Sequence, residues 1–187
     1  MKAVPASRYV CFLLLAVAGC GADLWTKDFM FRWLGMPPSP TEWVIDGIFG
    51  WQTSLNHGAL FGVGQGQGFV FISLSVVAAI GIIYWLFVMG AAEEWLLTIS
   101  LGAIMGGIFG NMYDRLGLWE VPGHPGVHEK AVRDWILVQY NGWVWPNFNI
   151  ADSLLVCGAA TLLWHATFSP SQQAKAAETT PSAKSPS

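Results

Sequence analysis

Charged side chains are scarce in this sequence. Lys, Arg, Asp and Glu make up 11% of its 187 residues, against roughly 25% in an ordinary soluble domain. So few charges do not cover a soluble surface. The shortage excludes a soluble enzyme, a disordered chain and a nucleic-acid binder. The formal charge of -3 is too small to steer a partner. Cysteine is sparse too. The three present, Cys11, Cys20 and Cys157, are odd in number and lie inside apolar runs, so they supply neither a disulfide framework nor metal-ligand spacing. What is plentiful is apolar surface, with 53% hydrophobic residues, eleven Trp and eleven Phe. This is the composition of a membrane protein.

Four apolar segments are long enough to span a bilayer or nearly so, at about 9–25, 69–90, 95–113 and 148–168. Inside lipid a lone segment must satisfy its own backbone hydrogen bonds, so each is expected to be a helix. Gly102, Gly106 and Gly110 are spaced by four in the third, which lets helix backbones approach closely. Pro37, Pro38 and Pro40 break the chain after the first span. Two β-like stretches follow, Glu42 to Ile45 and Ile48 to Leu55, with aromatics suited to a membrane interface. The segment from Arg115 to Asn147 reads as a long connection. Residues 1–168 thus form one four-helix membrane domain. Residues 169–187, rich in Ser, Ala, Pro and Thr, read as a disordered tail.

Val17-Ala18-Gly19-Cys20 follows a basic residue and an apolar run, the pattern of a bacterial lipoprotein signal. Such patterns are short and easily matched by chance. Three further spans would make a lipid anchor at Cys20 redundant, so the first helix is expected to be retained.

An ionisable residue within a membrane segment costs roughly 2.5 to 3.5 kcal/mol on insertion scales. Here the polar residues collect on one side. Asp23 and Lys27 end the first span, Asn111, Asp114 and Arg115 end the third, and Asn149 and Asp152 open the fourth. With four crossings, these ends share one membrane face with both long connections, which carry Asn56 and Asp134. Bland readings exist for each. Asp23 and Lys27 make an i,i+4 ion pair. Asn149 caps the fourth helix, and Asp152 suits its dipole. Asp114, at a helix C-terminus, opposes the dipole and needs a partner such as Arg115 or Lys27.

Taken together, the acids also fit another chemistry. Two carboxylates held close share a proton. The ionised partner takes a proton from water while the protonated one polarises a peptide carbonyl. Other peptidase chemistries are poorly supplied. His128-Glu129 is followed by Lys130-Ala131-Val132, so the H-E-x-x-H zinc helix fails, and no G-x-S-x-G is present. A non-enzymatic scaffold or transporter subunit, binding an ion or partner helix through its polar cluster, is the competing class.

Four motifs resemble those of the bacterial lipoprotein signal peptidase (signal peptidase II) family. Asp23-Leu-Trp-Thr-Lys27 resembles D-x-x-x-K, and Asn56-His-Gly58-Ala-Leu-Phe61 resembles N-x-G-x-x-F. Gly106 to Arg115 resembles G-G-x-x-G-N-x-x-D-R, and Phe148 to Ser153 resembles F-N-x-A-D-S. The resemblance implies four transmembrane helices with a small β-structured periplasmic cradle between helices one and two. It implies an aspartic endopeptidase of the inner membrane, without metal or cofactor. Such an enzyme cuts diacylglyceryl-modified prolipoproteins just before the lipidated Cys, with membrane lipids as its surroundings, and is taken as a monomer. Both termini and the tail would be cytoplasmic and the site periplasmic, an orientation that the Lys and Arg count does not decide. One catalytic Asp would be Asp152. The other, from a V-V-D-F-I-like element, best matches Asp134 in Val132-Arg133-Asp134-Trp135-Ile136. Arg133 stands where the family has an apolar residue, and the stretch from Asp114 to Asp134 is longer than usual, so Asp114 stays a rival. Asp23, Lys27, Asn56, Gly58, Asn111, Asp114, Arg115 and Asn149 would bind substrate or organise the site.

Overall fold

The computed structural model of the protein describes residues 4–58 and 66–168. Phe61 of the second motif and the tail, residues 169–187, lie outside the described residues. Among the described residues, four helices are long and apolar enough to cross a membrane: α1 (Ala6–Leu34), α2 (Gly68–Ile83, continued by a wide turn Tyr84–Val88), α3 (Trp95–Arg115) and α4 (Ile150–Phe168). A four-stranded antiparallel sheet stands at one end of them, built from β1 (Glu42–Ile45), β2 (Phe49–Asn56), β3 (Val132–Tyr140) and β4 (Trp143–Phe148) in the order β1-β2-β3-β4.

α3 is the buried helix of the bundle. The others turn apolar side chains such as Leu14, Val77 and Leu163 outward, as suits helices whose solvent is lipid. α1 buries one stripe, Phe12, Ala16, Asp23, Lys27, Met30 and Phe31, at helical spacing. Its lower part packs with Leu101 and Met105 of α3. Helix approach depends on glycine. A Cβ on Gly106 would lie 3.0 Å from the Ala16 carbonyl oxygen and 3.1 Å from the Gly19 Cα. The lipoprotein-signal-like run 17–20 therefore lies inside one continuous helix, and Gly19 is part of the α1–α3 crossing.

Two expectations from the sequence need correction. First, α1 runs nine residues past the expected end at 25, to Leu34, where Gly35 at φ 84° breaks it. At 29 residues it is about 43 Å long, well over the ~30 Å hydrocarbon thickness. Its last turns therefore project and carry the sheet, through Met30 against Trp135 and Ile136. Second, the cradle is not confined to the connection between helices one and two. Half of it, β3 and β4, comes from the segment expected to be only a long connection. A signal for that hairpin is in the sequence: Asn141-Gly142 separates two apolar runs, and both residues adopt positive φ, 49° and 79°. Pro146 obscured it, because proline interrupts a strand. It is tolerated here because β4 is an edge strand.

Candidate active site

The polar residues converge where the ends of α1 and α3, the start of α4 and strand β3 meet. At its base is a dry ionic cluster. Asp23, Lys27 and Asp114 have no exposed surface. The Lys27 ammonium has three donors and three acceptors: Asp23 Oδ2 at 2.6 Å, Asn111 Oδ1 at 2.9 Å and Asp114 Oδ2 at 3.2 Å. Asp23 uses its other oxygen to accept the Ala151 backbone N–H at 2.8 Å. That N–H belongs to the first turn of α4, which has no intrahelical acceptor for it. An ion pair of α1 thus also caps α4. Gly110 makes room for it, since a Cβ there would collide with the Asp23 carboxylate.

Asp114 finds the partner that its place at a helix C-terminus requires, and finds two. One is Lys27. The other is Arg133 rather than Arg115. Arg133 Nη2 donates to Asp114 Oδ1 at 2.8 Å, and the Arg133 backbone N–H donates to Oδ2 at 3.0 Å. Arg115 turns away, donating to the Gly58 carbonyl at 3.1 Å, and its guanidinium carbon lies 5.2 Å from the centre of the Phe71 ring. Gly58 in turn donates its N–H to Asn56 Oδ1 at 3.0 Å.

Above this cluster stand Asp134 and Asp152, joined through two asparagines. Asn149 caps α4 in a reciprocal box. Its Oδ1 accepts the Asp152 N–H at 2.9 Å, and Asp152 Oδ2 accepts the Asn149 N–H at 3.2 Å. The side-chain amide of the same Asn149 donates to Asp134 Oδ1 at 2.7 Å. Asn111 donates from Nδ2 to Asp152 Oδ1 at 2.8 Å while its own Oδ1 accepts from Lys27 and Asn149. Both acids are thereby oriented by residues fixed on rigid helices. Their surroundings differ. Asp134 is 2% exposed, and Asp152 is half-buried. Burial, and secondarily the charge of Asp152, push the Asp134 carboxyl up to about 8, against the pull of Lys27 and of hydrogen bonds from Asn149 and Asn56. An acid at that value is still protonated at neutral pH.

All ten residues singled out from the sequence lie at this end of the bundle. Two features were missed. Arg133 was noted only as a departure from pattern, although an acid opposing a helix dipole called for a cation. The backbone N–H of Ala151 leaves no trace in sequence. Gly107 also matters. A Cβ there would lie 2.6 Å from the Ala151 carbonyl oxygen and 3.0 Å from Leu155 Cγ, both on α4. Gly107→Ala should therefore shift the opening turn of α4 and Asp152 with it. The expected loss is about 1–3 kcal/mol in stability and up to about 10²-fold in turnover. Thermal unfolding and cleavage rate of the purified variant check both.

The pattern of the family described as signal peptidase (SPase) II matches residues 15–168. The lipoprotein signal peptidase of Rhodopirellula baltica is 55% identical over 163 residues, covering 86% of this chain and 73% of the relative. That of Geobacillus thermodenitrificans is 34% identical over 161 residues, covering 86% and 92%. In fold, the chain is similar to a bacterial membrane enzyme solved by the in meso method at 2.3 Å and 1.9 Å, each with a TM-score of 0.70 and 23% identity over 90% of this chain and 94% or 97% of the other. These likenesses set aside the non-enzymatic scaffold or transporter subunit. With four membrane-length helices and polar motifs gathered at one end, the chain belongs to the signal peptidase II family, peptidases that cleave the signal peptides of lipoproteins.

Proposed function

We propose that this protein cleaves diacylglyceryl-modified prolipoproteins just before the lipidated Cys, by water activated between Asp134 and Asp152. The observation that carries the reading is that one residue, Asn149, donates to both carboxylates, from its side-chain amide to Asp134 and from its backbone N–H to Asp152. Asp134, the more deeply buried, holds the shared proton and donates toward the scissile carbonyl. Asp152, accepting the Asn149 N–H at the start of α4 and the Asn111 side-chain amide, takes a proton from the attacking water. Asn56, Gly58, Asn111, Arg115 and Asn149 supply donors and acceptors for the substrate backbone and the carboxylates. The substrate's signal helix lies in the bilayer, and its lipidated Cys sits at the outer surface.

That substrate geometry sets the orientation. The site faces the periplasm, and the helix ends remote from it, the start of α1 and the end of α4, face the cytoplasm with both termini, in the inner membrane. The domain is residues 1–168, with 169–187 as a cytoplasmic tail, and it works as a monomer among membrane lipids, with no metal or cofactor. Cleavage of a lipidated prolipoprotein that persists in chelator, yielding a product that begins at the modified Cys, tests the chemistry and the position of the cut. Loss of cleavage on chelation would overturn the metal-free dyad.

The pH dependence follows from Asp134. Its proton is needed for the acid role, so kcat/KM should fall on the alkaline side with a midpoint near the Asp134 value of about 8. A kcat/KM profile from pH 5 to 10 measures it.

A further inference from the structure

Trp119, inside the longer stretch between Asp114 and Asp134, is 4% exposed. Its indole N–H donates to the Ala131 carbonyl at 3.3 Å. Its ring meets that of Phe31 edge-on, with 5.9 Å between centroids. The Arg133 guanidinium carbon lies 4.7 Å from the same ring centre. The segment then closes on itself. Val121 N–H donates to the Val127 carbonyl at 2.8 Å, and His128 Nδ1 lies 3.0 Å from the Trp119 carbonyl oxygen, which it contacts as a donor. Trp119 and Ala131, at the two ends of the segment, thus come together beside Arg133.

Arg133 itself is 3% exposed. Asp114 grips it by side chain and backbone together. It is the residue immediately before Asp134, and its backbone carbonyl lies 3.5 Å from the Asn149 side-chain amide. With the neighbouring pair Asp23–Lys27, the formal charges of Asp114 and Arg133 sum to zero, so the cluster can be dry. A point contact would leave the strand free to slide. The planar fork, bound along one carboxylate and covered by an indole, fixes both position and direction.

We propose that Trp119 of the 116–131 segment and Asp114 of α3 form a positioning clamp: together they hold Arg133, and through Arg133 they fix the start of β3 so that Asp134 is presented toward Asp152. The inference rests on the catalytic role of Asp134 and assigns Arg133 and Trp119 as positioning residues, neither touching substrate.

Trp119→Ala tests it without changing any charge. Asp134 is faced by Asp152 of α4, Asn149 at its cap, Lys27 of α1, Arg115 of α3 and Asn56 of β2, with Asp23 and Asp114 paired to Lys27 behind them, and all of these remain. If the strand drifts, Asp134 becomes more hydrated and lies farther from Asp152. Both changes lower its proton affinity and outweigh the smaller opposing pull lost from Lys27, Asn149 and Asn56, so the alkaline limb should move to lower pH. Turnover should fall about 10- to 100-fold, with KM within about threefold, because misplacement affects the chemical step more than binding. Arg133→Lys, which keeps the charge and loses the fork, should move both quantities in the same direction. If Trp119→Ala does not yield folded protein, Arg133→Lys carries the test. Folded variants with wild-type kcat and an unmoved alkaline limb would overturn the clamp. Should Asp134→Asn prove active, the proposed chemistry fails instead. Asp134→Asn inactive with Trp119→Ala and Arg133→Lys normal defeats the clamp alone.

Discussion

Asp134→Asn and Asp152→Asn are each expected to lower the rate of prolipoprotein cleavage by at least about 10³-fold, within the range spanned by loss of a positioned acid or base. The protein should remain folded and membrane-inserted. Each substitution is close to isosteric; the new amide at 134 keeps an oxygen for the Asn149 donor, and the one at 152 keeps an oxygen for either the Asn111 amide or the Asn149 N–H, so a small loss of stability is expected only at 152. What disappears is the capacity to exchange a proton. Asp114→Asn separates the rival assignment. The Asp114 carboxylate is occupied by Lys27 Nζ, by the guanidinium of Arg133 and by a backbone N–H, so no oxygen of it is left uncommitted for water. Its loss should appear as reduced stability. Activity retained by purified Asp134→Asn and lost in a folded Asp114→Asn would move the dyad to Asp114 and Asp152.

Stability sharpens that prediction. Between the unfolded value of about 3.9 and the folded value of about 8, native Asp134 holds a proton that the unfolded chain has released. The native state binds more protons across that window, so this residue's contribution is fully present below pH 4 and is lost as pH rises through 8. Asn cannot ionise. Asp134→Asn should therefore be at least as stable as the parent at pH 8 and above while being inactive. A group retained against stability is the pattern expected of a functional acid. Thermal unfolding in detergent at pH 6 and pH 9 reads the difference.

The order of polar motifs along the chain was enough to locate this site, for a physical reason. In a membrane helix nearly every position is apolar, so an acid or amide stands out as it would not in a soluble protein. Asp23, Lys27, Asn111 and Asp152 were visible on that ground, and alternation of four crossings placed them on one face. The capping box of Asn149 and Asp152 was legible too, because it is local in sequence. The β3–β4 hairpin was not. Its apolar run abuts Arg133 and Asp134, and its partner β2 lies some eighty residues earlier, with Asp134 opposite Ser54. Strand pairing over that distance has no local signature. Arg133 was misread in kind: it looked like a foreign charge in an apolar element and is in fact the counter-ion of Asp114. A buried ion's partner is fixed by tertiary approach, which one sequence does not display.

Lys27→Met should cause the largest loss of stability, about 3–5 kcal/mol, the scale for breaking a buried ion pair from one side. Lys27 has no exposed surface and is the ammonium shared by Asp23 and Asp114. Asp114 would keep Arg133, and Asp23 would keep only the Ala151 N–H, so the cost falls chiefly on Asp23. The double variant Asp23→Asn/Lys27→Met removes that orphaned charge and leaves an acceptor for Ala151; it should recover a substantial part of the loss. A sum of two independent penalties would instead show that the two side chains do not act as a pair. Eleven tryptophans make intrinsic fluorescence a ready probe of unfolding in detergent. Activity provides a second readout of opposite sign. Lys27 holds the proton affinity of Asp134 down, so its removal should carry the alkaline limb of any remaining cleavage above pH 8, whereas loosening the clamp at Trp119 carries it below. In the proposed dyad Lys27 would set the charge around the shared proton and Trp119 its place, and the two displacements of a single pH limb distinguish them.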